Sequence, residues 1–281
     1  MKKLIAHIRH VLSLAAACRK ARLSSGDIAR VVFADYRSRI GAVDRQFTIS
    51  VDGSRIALRS NPVDHRVALE VLSGIYAVEP TTRVTRILDL GANIGASAIY
   101  FQRRFPDAHI ACVEPSPGNL AMLERNRRLN GLSVTIFDCA VGTESGATAF
   151  YDTADPSCCT LLPGNRDRAS QFIVSLITVP EIMACMGWDH IDLLKIDIEG
   201  YEKLLLADSP AWLSKVSAIV GEIHEGYGIA QLNNDLVPFG FDVSISSPPN
   251  EYGQAIFSAV AQPVQRKKNV PVPMMTAGPV R

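Results

Sequence analysis

Two short stretches carry most of the chemistry available to this chain. In Lys195-Ile196-Asp197-Ile198-Glu199-Gly200 one cation and two carboxylates alternate with apolar residues, and Glu222-Ile223-His224 repeats the alternation further along. A strand period of two sets Lys195, Asp197 and Glu199 on one side, with Ile196 and Ile198 on the other. By the same rule Glu222 and His224 share a side. Gathered at the ends of neighbouring strands, these groups could remove a proton from an acceptor. Asp197 or His224 would be the general base, Glu222 would orient or tune it, and Glu199 would stand beside them. Burying three acids and a histidine without a task would cost several kcal/mol, because unpaired charge in a cleft is poorly solvated. Plainer roles stay open for each residue. Asp197 or Glu199 could cap a helix beginning near Gly200, Lys195 could pair with the acids, and His224 could be base, metal ligand or structural. The oxygen and nitrogen donors suit a divalent ion, but their spacing does not demand one.

A second stretch reads as a binding turn. Arg86–Leu90 is a buried strand, and Gly91-Ala92-Asn93-Ile94-Gly95 turns it into a helix. Glycines belong where the backbone bends sharply or a ligand approaches without a Cβ in the way. Asn93 departs from the three-glycine dinucleotide fingerprint. Glu114 ends the next strand, where a right-handed crossover sets its carboxylate beside the turn and within reach of both ribose hydroxyls. Turn and acid together favour an adenosine-containing cofactor. Asp138, ending the third strand, is placed for the adenine edge, with Cys139 offering a backbone N–H.

These residues need a parallel sheet to position them. Apolar runs at 86–90, 109–113, 133–137, 191–197, 216–223, 240–245 and 255–261 predict strands, with helices near 95–104, 117–130, 200–207 and 229–238. Ahead of them, 47–51 and 55–58 alternate around Asp52-Gly53 as a hairpin, and Asp64 is placed to cap a helix. Residues 146–179 interrupt the pattern with a β-rich run and a polar loop, 152–170, suited to a lid.

The motifs Ile87–Ile99 (ILDLGANIGASAI), Val113-Glu114-Pro115, Ala140-Val141-Gly142, Ile191–Glu202 (IDLLKIDIEGYE) and Glu222-Ile223-His224 resemble those of the FkbM family of S-adenosylmethionine-dependent methyltransferases. The resemblance covers roughly residues 60–245. It implies a class I methyltransferase: an α/β, Rossmann-like, seven-stranded doubly wound sheet with its last strand antiparallel, here with an N-terminal helix and β-hairpin extension. It further implies S-adenosyl-L-methionine as cofactor and transfer to an oxygen of a natural product, sugar or lipid. The cofactor set expected on this basis is Tyr76, Asp89, Gly91, Asn93, Gly95, Glu114, Asp138, Cys139 and Asp197, with Tyr76 closing over the ligand.

Composition sets the outer bounds. The chain has 281 residues, 47% hydrophobic and 20% charged, enough for a sizeable core. The net charge of +1 gives no argument for nucleic acid, and no apolar run is long enough to span a membrane. Six cysteines without metal-finger spacing fit a reduced, cytoplasmic protein, and the family resemblance implies a small-molecule acceptor as its partner. Charge is uneven, since residues 1–30 carry seven bases against Asp27, or +6. That segment reads as a basic amphipathic helix, packed on its own domain, on a partner or in a homo-oligomer, or lying on a membrane surface. The expected divisions are 1–45 helical extension, 46–80 hairpin and lead-in helix, 81–262 cofactor-binding domain and 263–281 disordered tail. Two other functions fit the same turn and acid: a nicotinamide-dependent oxidoreductase, and a cofactor-binding module without chemistry.

Overall fold

Two helices open the chain, α1 (Lys2–Lys20) and α2 (Ser25–Arg39), in a computed structural model that describes residues 2–40, 46–153, 161, 168–207, 210–247, 249–250 and 253–262. Only one helix was expected here. α2 begins where the Ser24 hydroxyl accepts the Asp27 N–H. It exposes Phe33 and Tyr36 while burying Val31 and Ala34, and apolar residues on both faces blur its periodicity. β1 (Gln46–Val51) and β2 (Ser54–Arg59) form the hairpin, with both turn residues, Asp52 and Gly53, at positive φ as a two-residue turn requires.

The helix that follows, α3 (Pro62–Leu72), is capped by Asn61 and not by Asp64. Asp64 instead accepts the Arg59 backbone N–H at 2.8 Å and pairs with its guanidinium, tying the helix start to the hairpin. The remaining elements are β3 (Arg86–Leu90), α4 (Ala96–Arg104), β4 (His109–Val113), α5 (Pro117–Asn130), β5 (Val134–Phe137), β6 (Ala140–Val141), β7 (Gly146–Thr153) and β8 (Arg168–Ile177). They continue with α6 (Val179–Met186), β9 (Leu193–Ile196), α7 (Glu202–Leu206), β10 (Ala218–Ile223), α8 (Ile229–Leu236), β11 (Phe241–Ser247) and β12 (Ala255–Ala261). The β-rich run stops short of Val179, because Thr178 and Glu181 form a reciprocal capping box that starts α6.

Seven strands make one sheet in the order β11-β12-β10-β9-β3-β4-β5, while β6, β8 and β7 form a small separate sheet. β12 runs antiparallel between β10 and β11; the pairs from β10 through β5 are parallel. Alternate residues of β3 feed two cores. Ile87 joins the cluster with Ile49, Ile56, Leu58, Ile94, Phe101 and Leu123, under the hairpin, α4 and α5. Leu88 and Leu90 join Leu194, Ile196, Ile219 and Phe257 on the other face, under α6, α7 and α8. Helices on both faces make the sheet doubly wound and leave the carboxyl ends of its central strands at a crevice. No helix among the described residues is long and apolar enough to cross a membrane. Residues 154–160 and 162–167 of the expected lid lie outside the described residues, as do Cys158, Cys159 and the tail 263–281.

Candidate active site

The crevice is organised by the turn after β3. Gly91 has φ +77°, and a Cβ there would lie 1.8 Å from the Asp197 carbonyl oxygen, so only glycine lets the ends of β3 and β9 approach this closely. Asn93 also takes a positive φ, +50°, a region asparagine tolerates. Its N–H donates to Glu114 Oε2 at 2.8 Å. Glu114 Oε1 accepts from the Ser116 N–H at 2.9 Å and from the Asn119 side chain at 3.3 Å. This carboxylate therefore staples the β3 and β4 turns as well as facing the crevice. Burial pushes it above its usual range, against the hydrogen bonds it accepts.

A cleft opens beside these groups, with about 580 Å³ of space that includes open solvent. Gly91, Asn93, Glu114 and Asp197 line it, as does Glu199; Val113, Val141, Phe150, Leu161 and Ile198 supply apolar wall. Five expected cofactor residues are not among its lining. Asp89 is fully buried, accepts from Ser97 Oγ at 2.6 Å and lies 3.2 Å from Lys195 Nζ. Gly95 starts α4, facing Leu123. Tyr76 stands behind Asp197 and donates its hydroxyl to Asp197 Oδ2 at 2.7 Å. Asp138 is exposed and Cys139 buried, and the wall nearby is made by Ala140 and Val141 instead.

Beyond Asp197 and Glu199 lies the second constellation. β9 and β10 are parallel neighbours, and a Cβ at Gly221 would meet the Ile196 carbonyl oxygen at 2.2 Å. Strand alternation ends at Ile196, so the expected two-sided pattern does not extend through 197–199. Glu199 sits at φ +54°, which turns Ile198 and Glu199 both toward the cleft. Lys195, 2% exposed, donates to the Gly91 carbonyl at 2.6 Å and pairs with Asp89; it is a buried partner of the acids.

His224 is buried, with Nε2 3.9 Å from Asp197 Oδ1 and 3.6 Å from Glu199 Oε2. Its Nδ1 lies 3.0 Å from Glu202 Oε1. Glu202 also accepts the Ile198 N–H at 2.9 Å and the Gly200 N–H at 3.0 Å. It lies in the same motif but outside the sequence-based set, since the strand alternation used to choose those residues does not reach the start of α7. Neither Asp197 nor Glu199 caps α7.

The charges of this group follow from burial. Desolvation, reinforced by Asp197 and Glu222, pushes Glu199 up to about 8. Desolvation and Asp197 push Glu222 up to about 7. Burial disfavours the imidazolium of His224, but the hydrogen bond and charge of Glu202, with Glu199 and Asp197, outweigh it and raise His224 to about 10. The site thus combines a cation with carboxyls that titrate near neutrality. Oxygens of Asp197 and Glu202 and a nitrogen of His224 lie within 4.8 Å of one another, a donor set of the kind divalent ions use. Glu202 already accepts from the Ile198 and Gly200 N–H groups and faces His224 Nδ1, while His224 Nε2 has no hydrogen-bond partner among the described residues.

This arrangement sets a cleft at the carboxyl ends of a doubly wound sheet, with titratable groups gathered at one end of it. The chain belongs to the FkbM methyltransferase family: the methyltransferase FkbM domain matches residues 89–239, over half its length. It is similar to methyltransferase sdnD of Sordaria araneosa, 29% identical over 192 residues, covering 56% of this chain and 74% of that protein. It is 24% identical over 213 residues to the 31-O-demethyl-FK506 methyltransferase FkbM of Streptomyces tacrolimicus, covering 63% of this chain and 80% of that one. A solved methyltransferase FkbM from Methylobacillus flagellatus superposes with a TM-score of 0.46 at 15% identity, over 68% of this chain and 54% of that one. The protein is a methyltransferase.

Proposed function

We propose that the protein transfers the methyl group of S-adenosylmethionine to a hydroxyl oxygen of a small-molecule acceptor. The observation that carries this reading is the placement of Asp197 and Glu199, which line the cofactor cleft and also flank His224. Three carboxylates along one cleft with apolar walls suit a cationic ligand bearing vicinal hydroxyls and a flat ring. S-adenosylmethionine has all three features, and when bound it supplies an electrophilic methyl on a sulfonium. Glu114 would accept the ribose hydroxyls, the wall of Val141, Phe150 and Leu161 would take the adenine, and Asp197 would face the cationic end. Oxygen as the acceptor atom is supported by the name of the Streptomyces relative.

A hydroxyl must lose its proton as the new O–C bond forms and the C–S pair returns to sulfur. Glu199 is the residue best placed to take that proton, because it lines the cleft and titrates near neutrality. His224 then acts as a neighbouring cation; an imidazolium has no lone pair to accept with. Asp197 is held by Tyr76 and aligns the reacting end. In-line alignment supplies much of the remaining rate.

Calorimetry tests the cofactor. S-adenosylmethionine and its demethylated product should bind, and NAD should give no heat. Glu114→Gln, which keeps one acceptor oxygen but loses the charge and the second acceptor, should weaken binding by about 1–3 kcal/mol. NAD binding without response to either sulfur compound would return the fold to the oxidoreductases.

A further inference from the structure

The N-terminal helical pair presents a surface unlike the rest of the molecule. Among the described residues seven large hydrophobic side chains are exposed, and four of them belong to the helical pair: Leu12 (62%) on α1, Phe33 (60%) and Tyr36 (47%) on α2, and Ile40 (60%) at its C-cap. Phe33 and Tyr36 stand three residues apart on one face of α2, and Ile40 follows at the helix end. The opposite face, with Val31 and Ala34, is buried. His10 on α1 meets Asp35 and Arg39 on α2, so the two helices pack side by side.

Charge on this pair is one-sided. Residues 9–40 hold seven bases against Asp27 and Asp35, a net +5. Both acids are buried and turned inward: Asp27 binds Ser24, Arg30 and the Ser50 N–H, and Asp35 binds His10 and Arg39. Arg9, Arg19, Lys20, Arg22 and Arg30 are exposed. The surface is therefore cationic with large apolar side chains standing on it. A second copy of this chain would bring like charge against like charge, which disfavours self-association through this face. The remaining match is a surface that is anionic at its edge and apolar just beneath.

We propose that the α1–α2 pair docks on an anionic lipid bilayer, with Phe33, Tyr36, Ile40 and Leu12 entering below the headgroups and the arginines and Lys20 among them. Helices that lie in the interface bind by this combination of buried apolar area and attraction to acidic lipid. Docking of this kind would hold the enzyme at a surface without a spanning segment and leaves the choice of acceptor open.

The full chain is tested by co-sedimentation with phosphatidylcholine vesicles, with and without phosphatidylglycerol. Binding should require phosphatidylglycerol and fall steeply with added salt. Replacing Arg19, Lys20 and Arg22 together by Gln should weaken it roughly a hundredfold. Phe33→Ser with Ile40→Ser should weaken it by about tenfold or more, with the circular dichroism spectrum retained because both side chains are already exposed. Equal binding to both vesicle types, or no binding at low salt, overturns the proposal. So does a concentration-dependent dimer that the Phe33→Ser, Ile40→Ser variant abolishes, or selective retention on polyglutamate with no binding to vesicles. These readouts do not depend on catalysis, so they stand or fall apart from the methyl-transfer reading.

Discussion

At the scale of single residues, the distinguishing feature is a histidine held as a cation among acids. Glu202 faces Nδ1, which leaves Nε2 toward Asp197 and Glu199. The pH dependence of turnover follows from these groups. A carboxyl base works deprotonated, so the rate should rise as pH passes through the raised range of Glu199, about 8. The imidazolium is lost above about 10, so the rate should fall again there. A bell-shaped profile of kcat/KM with its maximum between those limits is the expected result, whereas His224 acting as the base would give a rate still rising through about pH 10. Glu202→Gln removes the charge behind the ring. His224, followed by NMR, should then titrate at lower pH, and the alkaline limb should move down with it. Cofactor affinity should change little, because Glu202 does not line the cleft. An unmoved His224 titration would reduce Glu202 to a loop brace.

At the scale of elements, the hairpin and the cofactor turn are joined through one buried side chain. Asn126 on α5 accepts the Ala57 N–H at 2.7 Å and donates to the carbonyls of Ala57 at 3.1 Å and Ile94 at 2.8 Å. It thus spans β2, α5 and the turn that presents Asn93. Asn126→Ala leaves a buried N–H and two carbonyls without these partners, and should lower stability by about 2–4 kcal/mol in denaturant titration. The turn loses its brace in the same step, so cofactor affinity should fall in the variant that remains folded. If affinity were unchanged while stability dropped, the hairpin would support the sheet without shaping the site.

For the molecule as a whole, the sheet was the most legible part of the sequence. Strands β3, β4 and β12 fall where their apolar runs predict, because a run buried on both faces leaves a continuous signal. Less legible was what depends on tertiary contact. The cap of α3 passes from Asp64 to Asn61 because Arg59 claims the aspartate, and α2 hides its period behind exposed aromatic residues. The site was legible in its parts and not in its connections. Asp197, Glu199, Glu222 and His224 stand out by type and spacing, but Glu202 acquires its role only when β10 brings His224 beside it. Likewise the positive φ of Glu199, which turns it into the cleft, breaks the strand rule used to place it. The central claim is that this cleft moves a methyl group and that Glu199 removes the acceptor's proton. Its most direct test is incubation with methyl-labelled S-adenosylmethionine and a pool of hydroxylated small molecules, comparing the native chain with Glu199→Asn. Asparagine accommodates the backbone at that position, so the variant should fold and bind cofactor. The account predicts label on oxygen of an isolated product, formed at least about 100-fold more slowly by the variant. Label on nitrogen or carbon, or equal rates from both proteins, would contradict it.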